Sequence, residues 1–158
     1  LNQKSLIDFY LGNLLNFLIG LVFLMPLFLI YNPKTVLFLP LLFVIVALQC
    51  VFVVGLGILF SCVNVFFRDT GHFLASVFMV WFWVTPIFYS LDMLPAHFKW
   101  ICLINPVTYF VVLYRRILFN AQFPDIEYLL MSFLIALFSL AIGYTLFIKK
   151  EASLLKKI

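Results

Sequence analysis

The chain has 158 residues, of which 66% are hydrophobic and 20% aromatic, with 10 Lys+Arg against 6 Asp+Glu, a net charge of +4 and a mean hydropathy of +1.22. Soluble domains run near 45–50% apolar and about 25% charged, so a charged share of 10% cannot wet the surface of a chain this size. The composition excludes a water-soluble globule, a disordered tail and a nucleic-acid binder, which would need a basic stripe along a phosphate backbone. An integral membrane protein remains.

A membrane helix needs about 20 apolar residues, each adding about 1.5 Å against a hydrocarbon core of about 30 Å. Four stretches without a charge qualify: Leu11–Ile30, Val36–Phe60, Phe73–Leu91 and Tyr128–Ile148. A β-barrel would show alternating segments of about 10 residues, whereas these runs are apolar on every side. Tyr31-Asn32-Pro33-Lys34 joins the first two spans and is a turn by composition. Gly12, Asn16 and Gly20, and likewise Gly57 and Ser61, recur at an interval that suits close helix packing. Gln49 lies in mid-span and requires a partner within the bundle.

Asn64 through His72 links the second and third spans. Asp69 or Thr70 can cap the helix that follows, and Arg68 can snorkel to a lipid phosphate; the sharper alternative places Arg68 and Asp69 at a cytoplasmic entrance. Trp81 to Tyr89 gathers five aromatics around Pro86, where the helix should bend or unwind because proline cannot donate to the Phe82 carbonyl. As a helix, this segment places Phe78, Phe82 and Tyr89 on one face and Trp81 and Phe88 on a neighbouring one. Two readings fit Phe78, Trp81, Phe82, Trp83, Pro86, Phe88 and Tyr89. They line a path in which ring faces stack on sugar C–H groups, or they form an aromatic belt at the membrane interface.

Residues 93–119 are apolar, but Lys99 sits early, Arg115-Arg116 late, and Asn105-Pro106 interrupt the middle. Asn before proline leaves the α region, and Asn-Pro also makes a good helix start. Two half-helices of about 14–18 Å follow, which fit a hairpin that dips in from outside and returns. A fifth span kinked at proline would strand Lys99 or Arg115 too deep. Irregular backbone at such depth is tolerated only where protein or a water-filled cavity covers it, which makes the hairpin a candidate gate. The expected fold is an all-α polytopic transmembrane helical bundle of four spans, with a re-entrant hairpin between the last two.

Four spans place both termini on one face. Lys149, Lys150, Lys156 and Lys157 follow the last span and argue for a cytoplasmic C-terminus. That orientation puts Lys4 and Arg68 inside, and Lys34, Lys99, Arg115 and Arg116 outside. Cys50, Cys62 and Cys102 lack metal-site spacing and read as small hydrophobes, and His72 and His97 are isolated, so no metal site is expected. There is no phosphate-cradling G-x-x-x-x-G-K-[ST] and no credible nucleophilic triad. No catalytic residue is expected, and the energy for any transport must come from another subunit.

Val65-Phe66-Phe67-Arg68-Asp69, Thr85-Pro86-Ile87-Phe88-Tyr89, Leu103-Ile104-Asn105-Pro106 and Tyr114-Arg115-Arg116, in this order, resemble the ABC type-2 permease family that exports polysaccharides, O-antigen, capsular polymer and teichoic acid. The resemblance covers the last four spans of a six-span permease, so residues 1–158 are expected to be one N-terminally truncated permease domain. It implies a homodimeric pore, two copies of a separate ATPase subunit that bind ATP and Mg, a lipid-linked glycan substrate and a bacterial cytoplasmic (inner) membrane. It also implies that the hairpin, with Asn105, Pro106, Tyr109, Arg115 and Arg116, forms a gate on the external side. Arg68 and Asp69 then lie at the cytoplasmic end of the family's fifth span, and Pro86 lies within that span. The alternatives are a type-2 permease for a drug or smaller lipid, a membrane-bound transferase, and a structural membrane subunit. A transferase would have only Asp69, His72, Asp92 and His97 available, divided between the two faces.

Overall fold

Backbone groups in lipid are satisfied within helices, and the long apolar runs of this chain are helical except beyond Val84 in the third. A computed structural model describes the backbone of residues 3–66 and 70–155 and the side chains of residues 11–61 and 74–148. The elements are α1 (Gln3–Tyr31), a 3-10 segment (Pro33–Phe38), α2 (Leu39–Phe66), α3 (Thr70–Val84), a 3-10 turn (Leu91–Met93), α4 (Ala96–Ile104), α5 (Pro106–Leu118) and α6 (Ile126–Leu155). Among the described residues there is no strand. Leu11–Tyr31, Pro33–Ser61 and Ile126–Ile148 are long and apolar enough to cross a membrane. They correspond to the expected first, second and last spans. At the first turn, the Asn32 side chain accepts from the Lys34 N–H at 3.2 Å and caps the 3-10 segment.

The third span departs from expectation. Phe73–Leu91 is helical only as far as Val84, because Pro86 has no N–H to give Phe82 and biases Thr85 out of the α region. The 15 residues of α3 reach about 22 Å, short of a core of about 30 Å. Phe88 and Tyr89 therefore do not continue the aromatic faces of the helix. Phe88 folds back onto Phe82 and Trp83, with ring centroids 5.8 and 6.3 Å apart.

The half-helices α4 and α5 form a pair bent by 105° at Asn105, as a re-entrant hairpin or a broken span would be. Its side-chain bonds give its course. Asn105 is bonded to Trp81 and Thr85, at the end of α3, whereas Arg115 is bonded to Pro86, Ile87 and Tyr89, beyond that end. The apex is thus level with the last turn of α3, and α5 climbs past it. Contacts with the 3-10 segment and α2 run in the opposite sense. The Thr35 hydroxyl donates to the Leu118 carbonyl at 3.4 Å, Tyr114 donates to Gln49 at 2.5 Å, and Phe52 stacks on Phe110 at 5.3 Å. Gln49 thereby finds the partner its position requires.

α5 is held because its apolar stripe has a helical period. Phe110, Leu113 and Ile117 fall at i, i+3 and i+7, and all three are buried in a core with Leu42, Ile45, Phe52 and Ala136. Behind it, α2 and α6 approach closely. A Cβ on Gly55 would lie 2.5 Å from the Leu140 nitrogen, and one on Gly143 would lie 2.6 Å from the Gly55 carbonyl oxygen. The Ser139 hydroxyl crosses the same seam and donates to the Phe52 carbonyl at 3.0 Å. Small residues permit such an approach. Gly12 and Gly20, which have the interval expected of packing glycines, have nothing within 4 Å of a built Cβ.

The seam yields a direct test. A methyl at Gly55 must push two backbones apart, so Gly55→Ala should destabilise the bundle by about 1–3 kcal/mol. Gly12→Ala meets open space and removes glycine's entropy cost, so it should be neutral or stabilise by about 0.5–1 kcal/mol. Unfolding of both variants by SDS titration from mild detergent checks this. Equal losses would mean that the α2–α6 approach does not depend on glycine.

Candidate functional site

Two helix breaks, each followed by proline, meet in space. Where α3 ends, Thr85 is buried before Pro86; where α4 ends, Asn105 is buried before Pro106. Asn105 ends α4 and starts α5 in an extended conformation, and its Oδ1 accepts the Val107 N–H at 3.0 Å as the expected N-cap. The same oxygen accepts the indole N–H of Trp81. Its Nδ2 donates to the Thr85 hydroxyl at 2.7 Å, and that hydroxyl donates to the Trp81 carbonyl at 2.8 Å. Trp81, Thr85 and Asn105 form a closed ring of hydrogen bonds. The Thr108 hydroxyl adds a bond to the Cys102 carbonyl at 2.6 Å across the hairpin bend.

Further along, the non-helical segment after α3 exposes carbonyls that no helix satisfies. The Arg115 guanidinium donates to three of them: Tyr89 at 2.9 Å, Pro86 at 3.0 Å and Ile87 at 3.1 Å. The Tyr89 hydroxyl turns back and donates to the Val84 carbonyl at 3.0 Å, in contact with the Cys102 sulfur at 3.6 Å. Arg115 is therefore half-buried and engaged with backbone. Arg116 differs. It pairs with Asp125 at 2.6 Å on the exposed rim of the α5–α6 connection, a position where ion pairs contribute little.

The aromatic residues of the segment divide into two groups. Trp81 and Tyr89 direct their polar groups into the break, and Pro86 is buried there. Phe82, Trp83 and Phe88 form a cluster 46%, 64% and 75% exposed, while Phe78 packs edge-on against Phe60 at 5.4 Å. A groove of about 700 Å³ runs beside the joint, lined by Ser76, Val77, Val80, Trp81, Val84, Ile101, Ile104, Asn105 and Pro106. A smaller cavity of about 190 Å³, bounded by Phe78, Phe82 and Val107 among others, lies on its other side. Tyr109 faces Tyr128 of α6 at 5.9 Å and joins neither.

Among the described residues no three His, Cys, Asp or Glu side chains converge, so hydrogen-bonding groups and apolar surface make up the site. Arg68 and Asp69 lie outside the described residues. Sequence reasoning did not single out Thr85, Thr108 or the Gln49–Tyr114 pair. For Thr85 the available signal was the placement of a hydrogen-bonding residue immediately before both Pro86 and Pro106.

The ring predicts a graded series. Asn105→Ala leaves the indole N–H and the first α5 N–H without acceptors, a loss of about 2–4 kcal/mol. Asn105→Asp retains the acceptor oxygen and should lose less. Trp81→Phe combined with Asn105→Ala should fall short of additive by about 0.5–3 kcal/mol. Denaturant unfolding in micelles reads all four combinations, and strict additivity would mean that the two side chains are not coupled.

A family model described as ABC-2 type transporter matches residues 6–119, from early α1 to the residue that caps the end of α5. Two Klebsiella pneumoniae proteins named O-antigen export system permease protein RfbA are each 33% identical to the chain over 101 residues, covering 64% of it and 39% of the relative. A Myxococcus xanthus protein of the same name is 27% identical over 117 residues, covering 73% of this chain and 45% of the relative. The chain thus spans less than half the length of these curated relatives. No solved structure matches it. With the family match extending through the broken third helix and the whole hairpin, the chain belongs to the ABC-2 type transporter family.

Proposed function

We propose that this chain forms part of the permease of an ATP-driven exporter, which moves a lipid-linked polysaccharide such as O-antigen, capsular polymer or teichoic acid out across a bacterial cytoplasmic membrane. The observation that carries the reading is the family match over residues 6–119, which takes in every residue of the joint. The relatives named for O-antigen export supply the substrate class. In this proposal two permease chains form the pore, and two copies of a separate ATPase subunit bind ATP and Mg and drive it from the cytoplasmic side. This chain binds no cofactor and catalyses no covalent step. Its C-terminus is cytoplasmic, and it presents Arg68 and Asp69 near the cytoplasmic entrance.

The division of the aromatics supports separate roles. Trp81 and Tyr89 hold the break of the third span together, while Phe82, Trp83 and Phe88 offer ring faces outward. Ring faces stack on sugar C–H surfaces and slide along a repeating polymer without binding it tightly. The groove of about 700 Å³ beside the hairpin is apolar, as a path for the lipid carrier or its linkage would be.

Two experiments test this proposal. Trp83→Ala and Phe88→Ala should each lower polymer delivery roughly 2–10-fold at unchanged abundance, the equivalent of one lost stacking contact. Trp81→Ala should lower abundance and delivery together. Quantitative blots and surface-polymer assays on the same cells decide, and proportional losses at positions 83 and 88 would assign those rings to packing. Separately, cysteines placed at Lys34, Lys99 and Arg116 should react with an impermeant thiol reagent added outside, and one at Lys150 should not. Labelling of positions 99 and 116 from opposite sides would replace the hairpin with a through-going span.

A further inference from the structure

Pro86, Ile87 and Tyr89 present three backbone carbonyls on non-helical chain directly after an apolar helix, where no intrahelical donor meets them and an orphaned acceptor is costly wherever water is excluded. All three are met by one side chain from another element, through Arg115 Nη1 at 2.9 Å and Nη2 at 3.0 and 3.1 Å. A guanidinium can do this because its donors lie in a rigid planar fork. We propose that Arg115 is the positioning residue of the hairpin, a splint that makes the end of the third span and α5 move as one body during transport. The inference rests on the export reading above, and it adds which parts of the chain move together.

The geometry gives the splint two attachment points. At the deep end the Asn105–Thr85–Trp81 ring joins the hairpin apex to the last turn of α3. At the shallow end Arg115 joins α5 to residues 86–89. Between them the Tyr89 hydroxyl bridges to Val84 and contacts Cys102 of α4. A body fastened at two separated points cannot pivot about either one. By contrast, α5 meets α2 and α6 mainly through apolar side chains, with the Tyr114–Gln49 bond at 2.5 Å between them and two further bonds near its outer end, Thr35 to Leu118 and the rim pair Arg116–Asp125. Apolar packing accommodates small sliding steps that directional bonds to a fixed carbonyl do not. Relative movement therefore falls between this body and the α2–α6 pair, and the third span follows the hairpin.

The test uses the full-length permease with its ATPase in nanodiscs, with Cys50, Cys62 and Cys102 replaced by alanine. Spin labels at Met93 and Asn120, both exposed, placed in one permease chain of each dimer, report the distance across the splint. With Arg115 present a single narrow distance is expected, unchanged by ATP. Arg115→Ala should broaden it and should lower polymer moved per ATP hydrolysed by about tenfold or more, as loss of a charge-assisted bond to a two-state element implies. Hydrolysis itself should stay within about twofold, since the contacts broken are remote from the ATPase. Arg115→Lys keeps the charge without the fork and should fall between, and it decides the matter if the alanine variant does not accumulate. An unchanged distance in the variants, wild-type export per ATP, or full function with lysine would each overturn the splint. A broadened distance in a protein whose wild type moves no glycan would sink the export reading and leave the splint standing.

Discussion

Among the described residues, the amide of Asn105 serves both helix breaks at once. Its oxygen accepts from the first turn of α5 and from the Trp81 indole, while its nitrogen binds the hydroxyl that ends α3. An amide is suited to this because it carries an acceptor with two lone pairs beside two donors on one planar head. Interrupting a helix inside a bilayer frees N–H and C=O groups that water cannot reach, and such interruptions survive only where protein replaces water. Here one interruption supplies part of what the other lacks. Two breaks that would each be costly alone become tolerable as a pair.

That pairing depends on a stiffer support behind it. The α2–α6 seam, closed over Gly55 and Gly143 to backbone contact, holds the helices against which α5 lays Phe110, Leu113 and Ile117. α5 is thus gripped on its apolar side by packing and on its polar side by directed bonds. The two kinds of interaction respond differently to displacement, since packed apolar surfaces lose contact gradually and hydrogen bonds fail within fractions of an ångström.

Much of this architecture is written locally, and that part is readable. Leu11–Tyr31, Pro33–Ser61 and Ile126–Ile148 are continuous apolar runs, so their length alone identifies them. Pro86 and Asn105-Pro106 act through φ restriction and missing donors, which are properties of the residues themselves. The remainder is relational. Gly12–Gly20 and Gly55 look equivalent as sequence, yet only the last meets another backbone, because facing register is decided by the partner helix. Trp81 and Asn105 lie on different elements with no shared period. Arg115 reads as an exterior charge because hydropathy treats a guanidinium as something water must solvate. It cannot foresee three carbonyls that exist only because α3 stops early.

The same relational view explains why the motifs of this chain belong together. Thr85-Pro86, Tyr89, Asn105-Pro106 and Arg115 look like separate signals spread along the sequence, but each supplies or consumes a hydrogen bond in one continuous joint. A residue in such a joint is constrained by what its partners lack, so substituting one changes the requirement on the others. The exposed rings of Phe82, Trp83 and Phe88 carry no such obligation, since no directed bond fixes their faces. Side chains bonded inward and rings left facing out thus sit on adjacent residues of one short helix end.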